Sequence, residues 1–169
     1  VCGEEIKKLS TEEIKNFILE KVKNYTTLKK PRGTLDTKNQ FPAYLELFAP
    51  IVRGRKGEYY QLLYDMLGKG YTEAIIDGKR QSLRERIELS KTHRHDISVL
   101  VDSINVNDFV TDKKTAEERL AESLEHTLTE TDGLVEISFR DMAAENKNKD
   151  YKPEFVTMSS KFACPNDGY

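Results

Sequence analysis

The first residues whose types and spacing could do chemistry are three cations, Arg53, Arg55 and Lys56, which lie close together with glycines around them. The glycines leave the backbone flexible, and the three neighbouring positive charges could neutralise a few phosphates of a nucleic acid. The same pattern fits a contact with a protein partner. It also fits a solvated loop where a strand meets a helix, with Glu58 favouring the helix N-terminus. The sequence leaves these three interpretations open, with the solvated loop as the default.

Histidines and carboxylates elsewhere form no catalytic pattern. His93 and His95 are two residues apart, so on a strand they point to opposite faces and cannot bind one metal ion together. We expect both to be structural or solvated. The acidic residues of the third predicted helix flank Arg119 at helical spacing, which is typical of a solvated face: Glu117, Glu118, Glu122 and Glu125. We predict no catalytic residue and no metal ligand set.

Motifs that cradle phosphates or activate a nucleophile are missing from the sequence. It contains no G-x-x-x-x-G-K-[ST], no G-x-G-x-x-G after a strand and no G-x-S-x-G. With 27 basic and 29 acidic residues the net charge is −2, which argues against a large nucleic-acid surface but not against a small patch. We therefore predict no enzyme activity and no cofactor site in these residues.

Composition is typical of a soluble globular protein. Hydrophobic residues make up 37% and charged residues 33% of the chain. No apolar run approaches the roughly 18 residues of a membrane span, and the first residues lack a secretory signal pattern. Two cysteines, Cys2 and Cys164, do not make a disulfide framework in 169 residues. We expect a cytoplasmic protein without membrane association.

The first third of the chain alternates between helix, loop and strand signals. Ser10 and Glu13 form a capping box that starts a first helix, and its apolar spacing ends near Asn24. The polar stretch at about 25–42, broken by proline and glycine, predicts a long surface loop. An apolar run at Tyr44–Ala49, followed by proline, predicts a buried strand.

The remainder adds helices and paired strands. The predicted elements are a helix from Glu58 to Gly70, a hairpin turning at Asp77 and Gly78, a strand at Asp96–Val106, a helix at Thr115–Thr131, and an antiparallel pair at Leu134–Phe139 and Phe155–Phe162. A charged connection at about 143–153 is expected to be mobile. Strands joined by tight turns, with about three helices, predict an α+β fold, a single compact domain over 1–169 with a mostly antiparallel sheet.

Six blocks of sequence, in order and at consistent spacing, resemble the UvrA family, a component of the bacterial excinuclease. The blocks are Ala49–Tyr59, Gly70–Tyr71, Ile76–Gly78, Arg119–Glu125, Asp132–Val135 and Ser160–Pro165. No block is decisive alone, but together they extend over most of the chain. The stretches Tyr25–Pro42 and Glu145–Pro153 are longer than expected for the family.

The resemblance implies a domain inserted in the first ATP-binding cassette of a DNA-repair protein, where it docks UvrB during nucleotide excision repair. The larger protein would be a homodimeric, zinc-containing ATPase that acts on damaged DNA. ATP and zinc are therefore expected in that parent, and no cofactor is expected in this fragment. The alternative is an auxiliary domain that contacts DNA phosphates through Arg53, Arg55 and Lys56.

UvrB docking in the family is a polar contact with charged side chains at its centre. Two positions that the resemblance associates with interface arginines align with Glu73 and Ser103. Neither residue offers a guanidinium, and Glu73 reverses the charge. Either UvrB has changed in step, or the contact has moved, or the alignment is displaced by a residue or two. Glu73 and Ser103 are nevertheless the predicted partner-binding positions.

The two cysteines resemble parts of the family's zinc knuckles. Val1–Gly3 is similar to the second half of a C-P-x-C-G knuckle, and Cys164–Gly168 is similar to another, with Asp167 in place of its second cysteine. The two knuckles could share one zinc ion, because zinc accepts thiolate and carboxylate ligands together. Cys164 could equally pair with residues beyond Tyr169. The default is that neither cysteine binds metal in this chain.

Overall fold

The computed structural model describes residues 9–28 and 43–161. Its elements are helix α1 (Thr11–Leu28), strand β1 (Ala43–Lys56), helix α2 (Tyr60–Gly68), strands β2 (Glu73–Ile76), β3 (Lys79–Ser82) and β4 (Arg94–Asn105), helices α3 (Asp108–Thr111) and α4 (Lys113–Glu130), strand β5 (Leu134–Asp141), helix α5 (Met142–Lys147) and strand β6 (Phe155–Ser159). The predicted cysteine knuckles and residues 29–42 of the predicted loop lie outside the described residues.

The six strands form one antiparallel sheet in the order β3-β2-β4-β1-β5-β6. The long strands β1 and β4 lie at its centre and pair from Tyr44 opposite Asn105 to Lys56 opposite Arg94, with three register shifts between. This arrangement confirms the predicted α+β class and the predicted antiparallel sheet. Within the described residues, no helix is long and apolar enough to span a membrane.

One face of the sheet is covered by helices and holds the apolar core. Residues of α1 and α4 pack with β1, β4 and β5 in one cluster, and residues of α2 pack with β1, β2 and β4 in a second. Leu45 and Leu47 belong to the first cluster and Ala49 to the second. Because side chains alternate along a strand, Glu46 and Phe48 point to the opposite face. The polar chemistry described below is on that opposite face.

Several local sequence signals fix the ends of these elements. The Ser10 N–H donates to Glu13 Oε2 (2.7 Å) and the Glu13 N–H donates to Ser10 Oγ (3.1 Å), so the predicted capping box starts α1. Asp77 and Gly78 have φ angles of 50° and 78°, as a type I′ hairpin turn requires. Three leucines at i+4 spacing in α4 are buried: Leu120, Leu124 and Leu128.

Strand β1 is longer than the sequence predicts. It continues past Pro50 to Lys56, so Arg53, Arg55 and Lys56 lie in a strand and not in a loop. Pro50 adjoins a register shift, and irregular pairing of this kind tolerates the missing proline N–H. A proline normally marks the end of a central strand, and no local feature of the sequence indicates the irregular register that removes this limit.

Two helix boundaries also differ from the prediction. Helix α1 runs to Leu28, so residues 25–28 are helical although the sequence predicts a loop there. Helix α2 begins at Tyr60 instead of Glu58, because Tyr59 takes a left-handed conformation with φ of 50°. Both differences are a few residues, the scale on which helix ends are least determined by sequence.

The segment 143–153, predicted as a mobile connection, begins with the short helix α5. The Asp141 carboxylate caps this helix by accepting the N–H groups of Ala143 (2.9 Å) and Ala144 (3.0 Å). Further along, the Tyr151 hydroxyl contacts the backbone of β5 at Phe139 O (3.3 Å). Part of the segment is therefore held against the sheet by specific hydrogen bonds.

Candidate functional site

A chain of alternating charges lies on the sheet face opposite α1, α2 and α4. At its centre is Glu46 of β1, whose side chain is only 1% exposed. The guanidinium of Arg80 in β3 donates to both oxygens of Glu46, at 2.7 and 3.1 Å. The same guanidinium donates through Nε to Glu73 Oε2 of β2 at 2.6 Å. Bidentate pairing of this geometry fixes the side chains more firmly than a single contact.

A second arm extends the chain from Glu46 to the other side of the sheet. Arg140 of β5 lies 3.9 Å from Glu46 and forms a bidentate pair with Glu145 of α5, at 2.8 and 3.0 Å. We call these five residues the sheet-face network: Glu73, Arg80, Glu46, Arg140 and Glu145. It connects four strands and one helix that are distant in sequence.

Aromatic side chains on the same sheet face pack against the network. Phe48, two residues after Glu46 and on the same face, is fully buried. The Arg80 guanidinium lies 5.9 Å from the centre of its ring, a cation–π distance. The ring of Phe155 contacts Phe48 from β6, with centroids 5.4 Å apart. Arg80 is therefore held between a carboxylate pair and an aromatic surface.

The electrostatics of the network differ between its centre and its ends. Burial raises the pKa of Glu46, and the neighbouring Arg80 and Arg140 offset only part of that effect. At one end, the hydrogen bonds from Arg140 lower the pKa of Glu145. The end carboxylates are also more accessible, with Glu73 42% and Glu145 39% exposed. They can accept hydrogen bonds from a partner while Glu46 holds the arginines in place.

A cavity of about 420 Å³ opens beside the network, between Arg80 and Arg140 and the segment from Tyr151 to Phe155. Its wall includes Glu136, which accepts a 2.7 Å hydrogen bond from Ser98 Oγ. Burial raises the pKa of Glu136. The cavity is concave and several charged side chains line it, which suits a charged or hydrogen-bonding side chain from a partner.

Arg53 belongs to this face and not to the exposed basic segment. Val52 belongs to the second core cluster, so the side chain of Arg53, one residue further along β1, points to the opposite face of the sheet. Burial raises the pKa of Glu136, and the charge of Arg53 offsets part of that effect. The Nη1 atom of Arg53 is buried without a hydrogen-bond partner among the described residues. The structure thus separates Arg53 from Arg55 and Lys56, which the sequence groups together.

Both predicted partner positions adjoin the sheet-face network. Glu73 is one of its members, and Ser103 lies directly opposite Glu46 in the register of β1 and β4. The Ser103 backbone is fixed on both sides, because its N–H donates to Asp102 Oδ1 (2.8 Å) and its carbonyl accepts from Arg119 Nη2 (3.3 Å). The structure therefore brings Glu73 and Ser103 to one region, while Arg55 and Lys56 lie at the far end of β1.

Sequence reasoning missed four of the five members of the network: Glu46, Arg80, Arg140 and Glu145. A signal for Glu46 is present, since it is the single charged residue in the apolar run Tyr44–Ala49. A buried carboxylate needs a cationic partner, so its position predicts an arginine or lysine nearby. Which cation meets it depends on how β1, β3 and β5 are placed in the sheet, and that order cannot be determined from one sequence.

A separate ion pair joins the helices to the sheet. Arg119 of α4 donates to both oxygens of Asp102 at 2.5 and 2.9 Å, and Ser123 Oγ donates to the same carboxylate at 2.7 Å. Although burial acts to raise it, these hydrogen bonds lower the pKa of Asp102. The pair fixes α4 on β4 and we assign it a structural role.

Among residues 9–28 and 43–161, no group of three or more histidine, cysteine, aspartate or glutamate side chains could hold a metal ion. Cys2 and Cys164 are not among them, so the expected zinc knuckles have no structural description. His95 is structural: its ring nitrogens lie 2.7 Å from Asp77 Oδ2 and 2.8 Å from Ser90 O.

The structure is an α+β domain that carries a fixed charge network and a charge-lined cavity on its sheet face. Residues 37–141 match the family described as the UvrA interaction domain. The chain belongs to this family of the nucleotide excision repair protein UvrA.

Longer relatives support the same assignment. The chain is 42% identical over 135 residues to the UvrABC system protein A of Bradyrhizobium diazoefficiens, 38% to that of Mesorhizobium japonicum and 36% to that of Rhizobium meliloti. Each match covers 74% of this chain. The chain spans about 13% of the length of these relatives.

Proposed function

We propose that the chain is the UvrB-docking domain of a UvrA-type protein, and that the sheet-face network is the centre of the docking surface. The observation that carries this proposal is the bidentate grip of Arg80 on buried Glu46, which presents exposed Glu73 beside a charge-lined cavity. An interface built on charged hydrogen bonds specifies its partner strongly, since a mismatched charge is left unpaired.

The network contains two arginines that can replace the interface arginines absent at positions 73 and 103. Glu73 replaces a position that the resemblance associates with arginine, but Arg80 lies 2.6 Å from it on the neighbouring strand. A guanidinium therefore remains at this place on the face, supplied by β3 instead of β2. Arg140 adds a second guanidinium on the side of β5. Charged recognition of UvrB can proceed with these two residues.

The proposal extends to the longer protein. There, the domain recruits UvrB to damaged DNA for a homodimeric ATPase, and the ATP and zinc that the resemblance implies are bound outside the described residues. Docking through this face uses charged hydrogen bonds to select the partner, and it involves no bound cofactor and no catalytic group.

Titration of the chain with UvrB from the same organism, by calorimetry, tests the proposal. We expect Glu73→Ala and Glu145→Ala each to weaken binding roughly tenfold, equivalent to about 1.4 kcal/mol. Both residues are partly exposed and lie at the ends of the network, so their removal leaves the Glu46 pair intact. Glu118→Ala is the matched control, because Glu118 is also an exposed glutamate paired with a cation, here Lys114, but lies on the solvated face of α4.

Equal affinities for the three variants and the unaltered chain would show that this face does not contact UvrB. Absence of any binding at about 100 μM, with the chain folded by circular dichroism, would contradict UvrB docking altogether. A Kd of about 100 μM corresponds to about 5.5 kcal/mol of binding free energy.

A further inference from the structure

The end of the sheet far from the network carries a group of exposed cations. Arg55 and Lys56 end β1, Arg94 starts β4, and Lys91 lies in the turn just before it. We call these four residues the cationic end: Arg55, Lys56, Lys91 and Arg94. All four side chains are exposed, and none forms an ion pair with another described residue.

The pairing of β1 with β4 brings like charges together here. Lys56 is directly opposite Arg94 in the strand register, and Arg55 is opposite His95. Like charges directly opposite each other on two strands destabilise a sheet. Four exposed cations without ion pairs in the described part of the chain form a patch that attracts an external anion.

The local backbone presents the cations outward. Gly54 has φ of 58°, a left-handed conformation that favours glycine, and its carbonyl accepts a hydrogen bond from Arg94 Nη1 at 3.1 Å. The nearby carboxylates are engaged with the domain itself. Asp96 accepts the Gly54 N–H at 2.7 Å, and Asp77 contacts His95 at 2.7 Å. Neither carboxylate is paired with a cation of the cationic end.

We propose that the cationic end binds the phosphate backbone of a nucleic acid. Paired strands lie about 5 Å apart, so the side chains of Lys56 and Arg94 are close enough to contact neighbouring phosphates of a nucleic acid. Lysine and arginine contacts to phosphates carry no sequence information, so we expect binding that is independent of sequence. The overall charge of −2 limits this contact to a small footprint.

Fluorescence anisotropy with a labelled duplex of about 20 base pairs, measured between roughly 50 and 200 mM salt, tests the proposal. The test variant carries Lys56→Gln and Arg94→Gln, which removes two cations and their mutual repulsion. We expect at least about fivefold weaker binding at the lowest salt, and a salt slope smaller by about 1.8, since each phosphate contact contributes about 0.9. Thermal unfolding of this variant checks that it is folded, since Arg94→Gln also removes the hydrogen bond to the Gly54 carbonyl.

The matched control carries Lys113→Gln and Lys114→Gln, which makes the same charge change at the exposed start of α4. It should bind as the unaltered chain does, and so should Glu73→Ala, since the docking face is separate. Equal losses in the two double variants would mean that only net charge matters and would overturn the proposal. So would no binding at about 100 μM and low salt, or competition by polyglutamate as strong as by DNA, which would indicate an acidic protein partner.

Discussion

At the scale of single residues, His95 connects the hairpin turn of β2 and β3 to the loop before β4. Both ring nitrogens face acceptors, the Asp77 carboxylate and the Ser90 carbonyl. Only the protonated ring donates from both nitrogens. These hydrogen bonds, first to Asp77 and then to Ser90, raise the pKa of His95. Asp77 also accepts the Asp96 N–H at 2.9 Å. The hydrogen bonds of His95 and Asp77, which we call the His95 cluster, therefore fix the hairpin turn, the loop before β4 and the start of β4.

The stability that the His95 hydrogen bonds contribute should depend on pH. A raised pKa in the folded state means that the stabilisation is fully present below the unfolded pKa of about 6.5 and is lost as pH rises through the folded pKa. We expect His95→Gln to lower the free energy of unfolding by about 1.5–3 kcal/mol at about pH 5.5, and by less at about pH 8.5. Urea unfolding of the unaltered chain and of the His95→Gln variant at the two pH values measures this loss. A loss that is equal at both would contradict a protonated His95.

The sequence predicts a structural or solvated role for both histidines, and it does not tell one from the other. His95 is buried and His93 is exposed, although they lie two residues apart. The difference comes from position, since His95 lies within β4 and His93 lies in the turn before it. The acceptors for the His95 ring come from residues 77 and 90, whose proximity depends on the folded hairpin.

At the scale of elements, the end of α2 is a Schellman motif. The Tyr71 N–H donates to Met66 O (3.1 Å) and the Gly70 N–H donates to Leu67 O (3.0 Å). Gly70 supplies the left-handed residue with φ of 99°. The sequence predicts Gly70 as the residue that ends this helix, and the structure confirms it.

Two glycines of this region should respond oppositely to alanine. Gly68 ends α2 in a helical conformation with no atom near an added Cβ, so Gly68→Ala should stabilise the domain by about 0.5–1 kcal/mol. Gly70 also has open space around it, but its positive φ is strained for alanine, so Gly70→Ala should destabilise by about 1–2 kcal/mol. Thermal unfolding of the two variants measures both; shifts of the same sign would contradict the assignment of this helix end.

Elements with strong local sequence signals were predicted well, and elements with weak signals were not. Capping, periodicity and the Asp-Gly turn located α1, α4 and the hairpin, because these signals act within a few residues. The helices α3 and α5 have four and six residues, too few for a periodic pattern. The passage of β1 through Pro50 depends on its partner β4, which no local signal reveals.

At the scale of the whole molecule, the sheet-face network links β1, β2, β3, β5 and α5 around one buried carboxylate. Substitutions in the network affect the free energy of unfolding in different ways. Removing Arg80 leaves buried Glu46 with Arg140 alone, 3.9 Å away, which is unfavourable, whereas replacing both members of the pair with apolar groups can be neutral. A buried ion pair is therefore weak evidence for a role in stability, and the proposed role of this network is recognition. The alternating charges themselves could not be predicted, because they meet only when five elements assemble.

A double substitution separates these contributions. We expect Arg80→Met alone to lower the free energy of unfolding by about 3–5 kcal/mol, since Glu46 then remains buried without its bidentate partner. Glu46→Met with Arg80→Met should be less destabilised than the single variant, because the buried carboxylate is removed and the carboxylate that loses its partner, Glu73, is partly exposed. Urea unfolding compares the two. A double variant less stable than the single one would mean that Glu46 does not depend on Arg80.

The most direct test of docking through this face is an NMR cross-saturation experiment, with the labelled chain and unlabelled UvrB from the same organism. The Nε–H signals of Arg80 and Arg140 report on the network, and the amide signals of Glu118 and Glu122 report on the solvated face of α4. We predict attenuation of the arginine signals with the α4 signals unchanged. Attenuation confined to α4, or none with UvrB at about 100 μM, would contradict docking through the sheet-face network.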